Sequence, residues 1–276
     1  MPRVSNHEAK APGQPREIQM DLIADHISHR FGALDVLDDV SFAVGGGEVV
    51  AIVGPSGCGK STLLQILGGL LQATGGQARL RGLPPAESLN PLTFVFQDFA
   101  LLPWATAEAN VTFPLLHAKI SSPERRALVD DALRRTGLLE FRNTYPKQLS
   151  GGMRQRVGIA RALAVKPAIL LMDEPLSALD SQTRELLLED FIRLLADGAM
   201  GVVYVTHNLE EAVRLADRIV VLSRRPGRVR EIVQVPMPRA ERGGKDVRGR
   251  MQALQDELWS LIRSEAIDAE REVQHA

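Results

Sequence analysis

The residues best suited to chemistry form one glycine-rich stretch, Gly54-Pro-Ser-Gly-Cys-Gly-Lys-Ser-Thr62. Glycines let the backbone wrap closely around a polyphosphate and turn successive N–H groups toward it. In this pattern the lysine contacts the β- and γ-phosphates, and the first hydroxyl after it binds Mg²⁺. We therefore predict a nucleotide site formed by the whole stretch: Gly54, Pro55, Ser56, Gly57, Cys58, Gly59, Lys60, Ser61 and Thr62.

The flanking sequence favours this interpretation over a purely structural glycine turn. Residues 49–53 form a continuous apolar run, as in a strand buried on both faces, and residues 61–72 have the pattern of a helix. A phosphate loop follows a strand and opens a helix, whose N-terminus adds partial positive charge. We interpret Cys58 as filling a permissive loop position rather than serving a redox role.

An acidic pair, Asp173-Glu174, follows the apolar run of residues 169–172. At the carboxyl end of a parallel strand such a pair faces the ligand crevice. We predict that Asp173 holds Mg²⁺ through its water shell and that Glu174 orients and deprotonates the attacking water. The alternative is a solvated acidic turn, which the nearby phosphate loop disfavours.

The turn Ser150-Gly151-Gly152 precedes a helix that is predicted to begin near Met153. Its hydroxyl and N–H groups would therefore lie at a helix N-terminus, where donors are free to bind an anion. This turn predicts a second anion site, separate in sequence from the phosphate loop.

The elements that position these residues alternate between strands and helices. Strand patterns lie near residues 20–23 and 40–44, helical spacing dominates at about 98–158, and strands then alternate with helices up to residue 222. This order predicts an α/β domain over residues 18–225 with a mainly parallel sheet and a helical insert. Residues 226–276 form an extension with an apolar stripe at helical spacing: Val247, Met251, Leu254, Leu258 and Leu261. This helix is predicted to pack on its own domain, and partner binding is the alternative.

Composition excludes several classes of function. The net charge is −1, so there is no global electrostatic case for nucleic-acid binding, and 45% hydrophobic residues suffice for a core. The lone cysteine rules out an internal disulfide and fits a reducing compartment. No apolar run reaches the roughly 18 residues needed to cross a bilayer. Residues 1–17 are polar and are predicted to be disordered.

The stretch Leu149-Ser-Gly-Gly-Met-Arg-Gln-Arg156 resembles the signature motif of ATP-binding cassette (ABC) ATPases. The other motifs of that family occur in the family order: Phe31, Gln97, Ser177-Ala-Leu-Asp180 and His207. The resemblance implies an α/β P-loop NTPase fold with a mainly parallel sheet, an N-terminal antiparallel β subdomain and an inserted helical subdomain. Two positions depart from the usual pattern, with Met153 in place of glutamine and Phe31 in place of tyrosine; neither puts catalysis in doubt.

The resemblance also implies a role for each matched residue. Phe31 stacks on adenine, His207 contacts the γ-phosphate, and Gln97 links Mg²⁺ and water to the helical insert. Ser150, Gly151, Gly152 and Asp180 bind ATP, the signature residues closing on ATP held by another protomer. The implied assembly is a homodimer with two shared ATP sites, with Glu174, His207 and Gln97 as catalytic residues and Ser61, Gln97 and Asp173 as metal ligands.

Three features resemble the bacterial importers for nitrate, sulfonates and taurine: Leu101-Leu-Pro-Trp104, Met153 and Arg225-Pro-Gly-Arg228. They imply an ATP-hydrolysing subunit, peripheral at the cytoplasmic face of the inner membrane, that binds permease subunits and serves a soluble substrate-binding protein indirectly. Trp104 would either receive the permease or pack the insert on the core, and the two roles are compatible. Taurine, nitrate, other sulfonates and small heterocycles all stay open as solutes.

Three other functions of the same family are alternatives. An exporter cassette is one, although exporters commonly fuse their membrane spans to the cassette. A soluble cassette acting on ribosomes or DNA is disfavoured because the chain has one copy of each motif and no long coiled coil between Lys60 and Asp173. A degenerate cassette that binds ATP without hydrolysing it is disfavoured by intact Glu174 and His207.

Overall fold

The computed structural model describes residues 20–197 and 200–273, so the predicted disordered segment 1–17 lies outside the described residues. Its strands form two sheets. The smaller is antiparallel, with β1 Asp21–Phe31 between β2 Leu34–Val44 and β4 Gly75–Arg81. The larger has the order β5-β6-β7-β3-β8-β9: Leu92–Val95, Ile169–Asp173, Gly201–Val205, Val49–Val53, Arg218–Leu222 and Val229–Gln234. All its pairings are parallel except β8–β9, which confirms the predicted fold class.

Seven α-helices connect and cover these strands in the described part of the chain. Their bounds are α1 Lys60–Leu67, α2 Ala107–Thr112, α3 Ser122–Arg135, α4 Gly151–Leu163, α5 Ser181–Leu194, α6 Leu209–Leu215 and α7 Arg248–Val273. Residues 98–158 contain helices and no strand, as their spacing predicts. Among the described residues, no helix combines the length and the apolar character required to cross a bilayer.

Two helix boundaries differ from the predictions. Helix α1 ends at Leu67 rather than at residue 72, because Gly68 and Gly69 follow and glycine disfavours a helix interior. Helix α4 begins at Gly151 rather than near Met153, since Ser150 acts as its N-cap and accepts a hydrogen bond from the Met153 N–H. The two signature glycines therefore lie inside the first helical turn.

Strands β4, β5 and β9 were not predicted. Strand β4 has mostly exposed or half-buried side chains and lacks an apolar alternation, so its sequence carries little strand signal. Strands β5 and β9 stand at the two ends of the larger sheet, and half of the residues of β9 are polar. Their pairing depends on the neighbouring strands β6 and β8 rather than on local pattern.

Apolar side chains pack on both faces of the larger sheet, and a separate apolar cluster joins α2, α3 and α4. The C-terminal helix α7 belongs to the first of these clusters. Its stripe residues Met251, Leu254 and Leu258 are buried there, with Val247 just before the helix and Leu261 packed at the edge. The predicted packing of this helix on its own domain is thus confirmed.

Candidate nucleotide site

The phosphate loop joins the end of β3 to the start of α1. Gly59 caps α1 in the left-handed region at φ +103°, and a Cβ there would lie 2.8 Å from Leu37 Cδ2, so both conformation and space require glycine. The Lys60 side chain is buried and folds back over the loop, where its Nζ donates to the carbonyl oxygens of Gly54 and Pro55 at 2.9 and 3.0 Å. Cys58 is buried, and burial raises the pKa of its thiol.

A cleft of about 480 Å³ opens above this loop. Its lining contains half of the predicted nucleotide-binding residues together with Glu174: Phe31, Ser56, Gly57, Gly59, Lys60, Ser61 and Thr62. Phe31 is 51% exposed and packs edge-on against His29, with ring centroids 4.6 Å apart. An exposed aromatic ring at the rim of a cleft provides a face on which a base can stack. The lining also includes Leu34, Val36 and Arg225, which sequence reasoning did not assign to the site.

Ser61 and Asp173 meet although they come from different elements. The carboxyl ends of the parallel strands β3 and β6 lie at the same edge of the sheet, and the Ser61 hydroxyl donates to Asp173 Oδ1 at 3.0 Å. Burial raises the pKa of Asp173, the hydrogen bond from Ser61 lowers it, and the charges of Glu174 and Lys60 act in opposite directions. A hydroxyl and a carboxylate suit Mg²⁺, which keeps several waters and takes few protein ligands beside substrate phosphates. The described residues hold no cluster of three or more His, Cys, Asp or Glu that would bind a metal without a substrate.

Glu174 lies in the turn after β6 and faces His207 in the turn after β7. The two side chains approach to 3.0 Å between Glu174 Oε2 and His207 Nδ1. The backbone of Glu174 is held in the left-handed region at φ +44°, and its N–H donates to Val205 O at 3.0 Å. A glutamate in this region is strained, and such strain persists where surrounding contacts impose it.

Gln97 reaches the same turn through a serine. Its Nε2 donates to Ser177 Oγ at 3.1 Å, and that hydroxyl donates to the carbonyl oxygen of Glu174 at 2.9 Å. The loop that carries Gln97 is therefore linked to the Glu174 turn. Ser177 was recognised only as part of the motif that ends at Asp180.

The signature residues and Asp180 belong to a second surface formed by the N-termini of α4 and α5. Ser150 caps α4, and Asp180 caps α5 by accepting from the N–H groups of Gln182 and Thr183 at 3.1 and 3.0 Å. These hydrogen bonds, that of Thr183 foremost, lower the pKa of Asp180. Among the described residues that line the nucleotide cleft, none is Ser150, Gly151, Gly152 or Asp180.

A buried network beneath His207 was not predicted. Glu211 is 3% exposed and accepts from Tyr204 Oη and Thr206 Oγ1, both at 2.8 Å. Its other carboxylate oxygen lies 3.8 Å from Arg184 Nε. Burial raises the pKa of Glu211, against the lowering effect of its hydrogen-bond donors and of Arg184. The sequence signal was weak, because an acid near the start of a helix is usually a solvated residue.

A second unpredicted contact fixes the loop after Gln97. Phe99 and Ala100 have positive φ angles of 60° and 43°. The Arg161 guanidinium on α4 donates to both of their carbonyl oxygens at 2.6 Å. The loop that carries Gln97 is thus tied to the helix that begins at the signature turn.

Trp104 lies beyond this loop and is 74% exposed, so it does not pack the helical segment on the core. Phe113 and Leu116, from the following helical turns, are also more than half exposed. Exposed aromatic and aliphatic side chains of this size are typical of protein–protein contacts.

Comparison with known proteins agrees with this geometry. Residues 37–177 match the protein-family model described as ABC transporter. The chain is 38% identical over 240 residues to the nitrate import ATP-binding protein NrtD of Synechococcus elongatus, covering 86% of this chain and 85% of that protein. It is 44% identical over 229 residues to the taurine import ATP-binding protein TauB of Chromobacterium violaceum, covering 82% and 88%.

Among solved structures, the chain resembles the dimeric structure of the bacterial ABC transporter cassette MJ0796. The TM-score is 0.67 at 35% sequence identity, and the match covers 79% of this chain and 100% of that one. The same cassette in a post-hydrolysis state bound to ADP and Pi matches with a TM-score of 0.66 and the same coverage. The motifs, the fold and these relatives agree, and the chain therefore belongs to the ABC transporter family of ATP-binding cassettes.

Proposed function

We propose that this chain is the ATP-hydrolysing subunit of a bacterial ABC importer for a small anion or organic solute of the nitrate, sulfonate or taurine kind. The observation that carries the proposal is the placement of Glu174, which lines the cleft above the phosphate loop and lies within hydrogen-bond distance of His207. The names of the nitrate and taurine import relatives support the transport role and its direction.

In this proposal one set of residues binds ATP and Mg²⁺, and a second set acts on the attacking water and the γ-phosphate. The phosphate-loop N–H groups and Lys60 would hold the triphosphate, and Phe31 would stack on the adenine. Ser61, Asp173 and Gln97 would hold Mg²⁺, which when bound neutralises charge on the phosphates. Glu174 would accept a proton from the attacking water, and His207 would hold the γ-phosphate and orient the Glu174 carboxylate.

Two surfaces on one chain account for a homodimer. The cleft and the signature turn are separate, so a turn from a second chain would close each cleft, giving two shared ATP sites. The dimeric structures of the related cassette support this arrangement. ATP binds the closed dimer more tightly than separate chains, and this difference in affinity is what moves the assembly.

The exposed side chains around Trp104 suit contact with the permease. These side chains lie just beyond Gln97 in the sequence, and Gln97 is linked to the Glu174 turn through Ser177. Movement of the permease would thereby be coupled to the state of the nucleotide site. A permease bound at this surface would hold the subunit at the cytoplasmic face of the inner membrane, and a soluble substrate-binding protein would serve it indirectly.

The test is transport and ATP hydrolysis by proteoliposomes that contain this chain with the permease subunits encoded beside it. Solute-loaded binding protein, added on the outer side, should stimulate hydrolysis and drive uptake. Replacing Glu174 by Gln should lower turnover by about 10²- to 10⁴-fold, the usual range for removing a general base, while ATP binding persists. Glu210→Gln, an exposed acid near His207 but outside the cleft lining, is the matched control and should keep wild-type turnover.

Hydrolysis by the Glu174→Gln protein at the wild-type rate would remove Glu174 from the mechanism. Net movement of solute toward the side that holds the binding protein would replace the importer by an exporter.

A further inference from the structure

One cation in the nucleotide cleft has no chemical role in the motifs above. Two basic residues are among those that line the cleft, Lys60 and Arg225, beside the single acid Glu174. Lys60 is buried and bonded to the loop carbonyls, whereas Arg225 is exposed. Sequence reasoning used Arg225 only as part of a segment typical of one importer group, without a chemical role.

The position of Arg225 follows from the sheet. It comes just after β8, which pairs in parallel with β3, so the carboxyl end of β8 lies beside the start of the phosphate loop. The two ends are in close contact, since a Cβ on Gly54 would lie 2.9 Å from Leu222 O. The tip of the turn after β8 therefore lies at the rim of the cleft, where Arg225 is part of the lining.

That turn is closed by its own hydrogen bonds. The Ser223 N–H donates to Arg228 O at 2.9 Å, and the Arg228 N–H donates back to Ser223 Oγ at 3.0 Å. The Ser223 hydroxyl also lies 2.9 Å from Arg224 O and 3.3 Å from Pro226 O. Arg225 is therefore carried on a fixed turn rather than on a free loop.

Two further contacts fasten the turn to the site. Gly227 donates to Val36 O at 2.8 Å, and its carbonyl accepts from the Asp38 N–H at 3.0 Å. It also approaches the phosphate loop so closely that a Cβ on it would lie 2.2 Å from Cys58 O. Arg228 forms an ion pair with Asp38, with Nε 2.8 Å from Oδ2. These contacts fix the turn to the phosphate loop and to β2, the strand that follows Phe31.

We propose that Arg225 is an additional nucleotide-binding residue that contacts the phosphates of bound ATP; this rests on the proposed function. A guanidinium suits phosphate because it can donate two parallel N–H bonds and keeps its charge at every physiological pH. The fixed turn lowers the entropy lost when the side chain orders on the ligand. Strand β8 lies on one side of β3, whereas β7 and then β6, which leads to Glu174, lie on the other. Arg225 would therefore contact the phosphates from the side of the cleft opposite Glu174.

The test is equilibrium binding of ATP, ADP and AMP to the purified full chain in the presence of Mg²⁺. Arg225→Gln should weaken ATP binding by about tenfold, in line with loss of one hydrogen-bonded contact to a charged group. The loss should be larger for ATP than for AMP and should shrink at high salt, because it is electrostatic. Arg225→Lys should recover part of the affinity, since it keeps the charge but not the fork of donors.

Arg30→Gln is the matched control. It removes the same charge from an exposed residue next to Phe31 that, by strand alternation, points to the opposite face and is absent from the cleft lining. It should bind ATP as the wild type does. Equal loss of ATP and AMP affinity in Arg225→Gln would overturn a contact to the β- and γ-phosphates, since the two nucleotides share only the nucleoside and the α-phosphate. Unchanged affinity would overturn the proposal altogether.

Lys60→Ala in the same titration separates this inference from the proposed function. If Lys60→Ala loses ATP while Arg225→Gln keeps it, only the role of Arg225 is wrong. If Lys60→Ala binds ATP normally, the phosphate-loop assignment itself is wrong.

Discussion

At the residue scale, the buried carboxylate of Glu211 sets a pH dependence of stability. Its pKa is raised, chiefly by burial, so its contribution to stability is fully present below its unfolded-state pKa near 4.5 and is lost as pH rises through the folded value. Glu211→Gln keeps an acceptor for Tyr204 and Thr206 and cannot ionise. We expect this variant to lose less unfolding free energy than the wild type between about pH 5 and pH 8.

Urea unfolding at several pH values measures this difference. Glu210→Gln, its exposed neighbour, controls for the loss of one negative charge at the start of α6 and should follow the wild-type curve. A Glu211→Gln curve parallel to that of the wild type would mean that Arg184 and the hydroxyl donors fully offset the cost of burying the charge.

The residues that could be predicted from the sequence are those whose chemistry is carried by local spacing. Lys60 and Ser61 follow from the glycine pattern alone, and Asp173 and Glu174 follow from an apolar strand that ends in acids. Arg161, Glu211 and Arg225 could not be assigned. Arg161 and Glu211 act through contacts with other elements, and Arg225 lies at the cleft because β8 pairs with β3, so an isolated arginine or glutamate in the sequence carries no signal for these positions.

At the element scale, Arg161 joins helix α4 to the loop that carries Gln97. Its guanidinium supplies hydrogen bonds to two carbonyl oxygens in a backbone turn with positive φ at Phe99 and Ala100. Arg161→Met keeps the apolar stem but leaves this strained turn without donors. We expect it to lower the free energy of unfolding by about 2 kcal/mol, the scale of hydrogen bonds from a charged group.

Denaturant unfolding measures the loss, and Arg134→Met is the control because Arg134 is exposed and its side chain forms a 3.5 Å surface ion pair with Asp131. A role of Arg161 in coupling to the permease has a separate measurement. Without the permease, the Arg161→Met protein should hydrolyse ATP, but addition of the permease should change its rate of hydrolysis less than it changes that of the wild type. Equal destabilisation by both variants would contradict a specific role for Arg161.

Elements were predictable where an apolar run or a helical period was complete. Helix α6 lies in the region where strands and helices are predicted to alternate, and the stripe of α7 is buried as its spacing requires. Strand β4 carries exposed polar residues, and its place in the sheet comes from pairing with β1, which local sequence does not encode. The start of α4 was misplaced because two glycines disfavour a helix, whereas the Ser150 cap enforces one.

At the scale of the whole molecule, the separation of the two surfaces predicts a complementation pattern. In a dimer with shared sites, Lys60→Ala damages the cleft side of its own chain, and Gly151→Asp places a carboxylate on the signature side of the other site. A Cβ at Gly151 would meet Leu179 Cδ2 at an ordinary 3.4 Å, and an acid in the first turn of a helix is favourable, so Gly151→Asp should fold.

Each variant alone has two defective sites. A mixed dimer has one site with both defects and one intact site, so mixing equal amounts should restore hydrolysis to about a quarter of the wild-type number of sites if pairing is random. Lys60→Ala mixed with Glu174→Gln is the decisive control, because both residues line the same cleft and every site then keeps one defect. Recovery in the first mixture and none in the second is the expected result. Recovery in neither, while the mixed dimer forms, would contradict a shared site that hydrolyses ATP by itself, because sites formed within one chain would each keep a defect. Recovery in both would mean that Lys60 and Glu174 do not serve the same site.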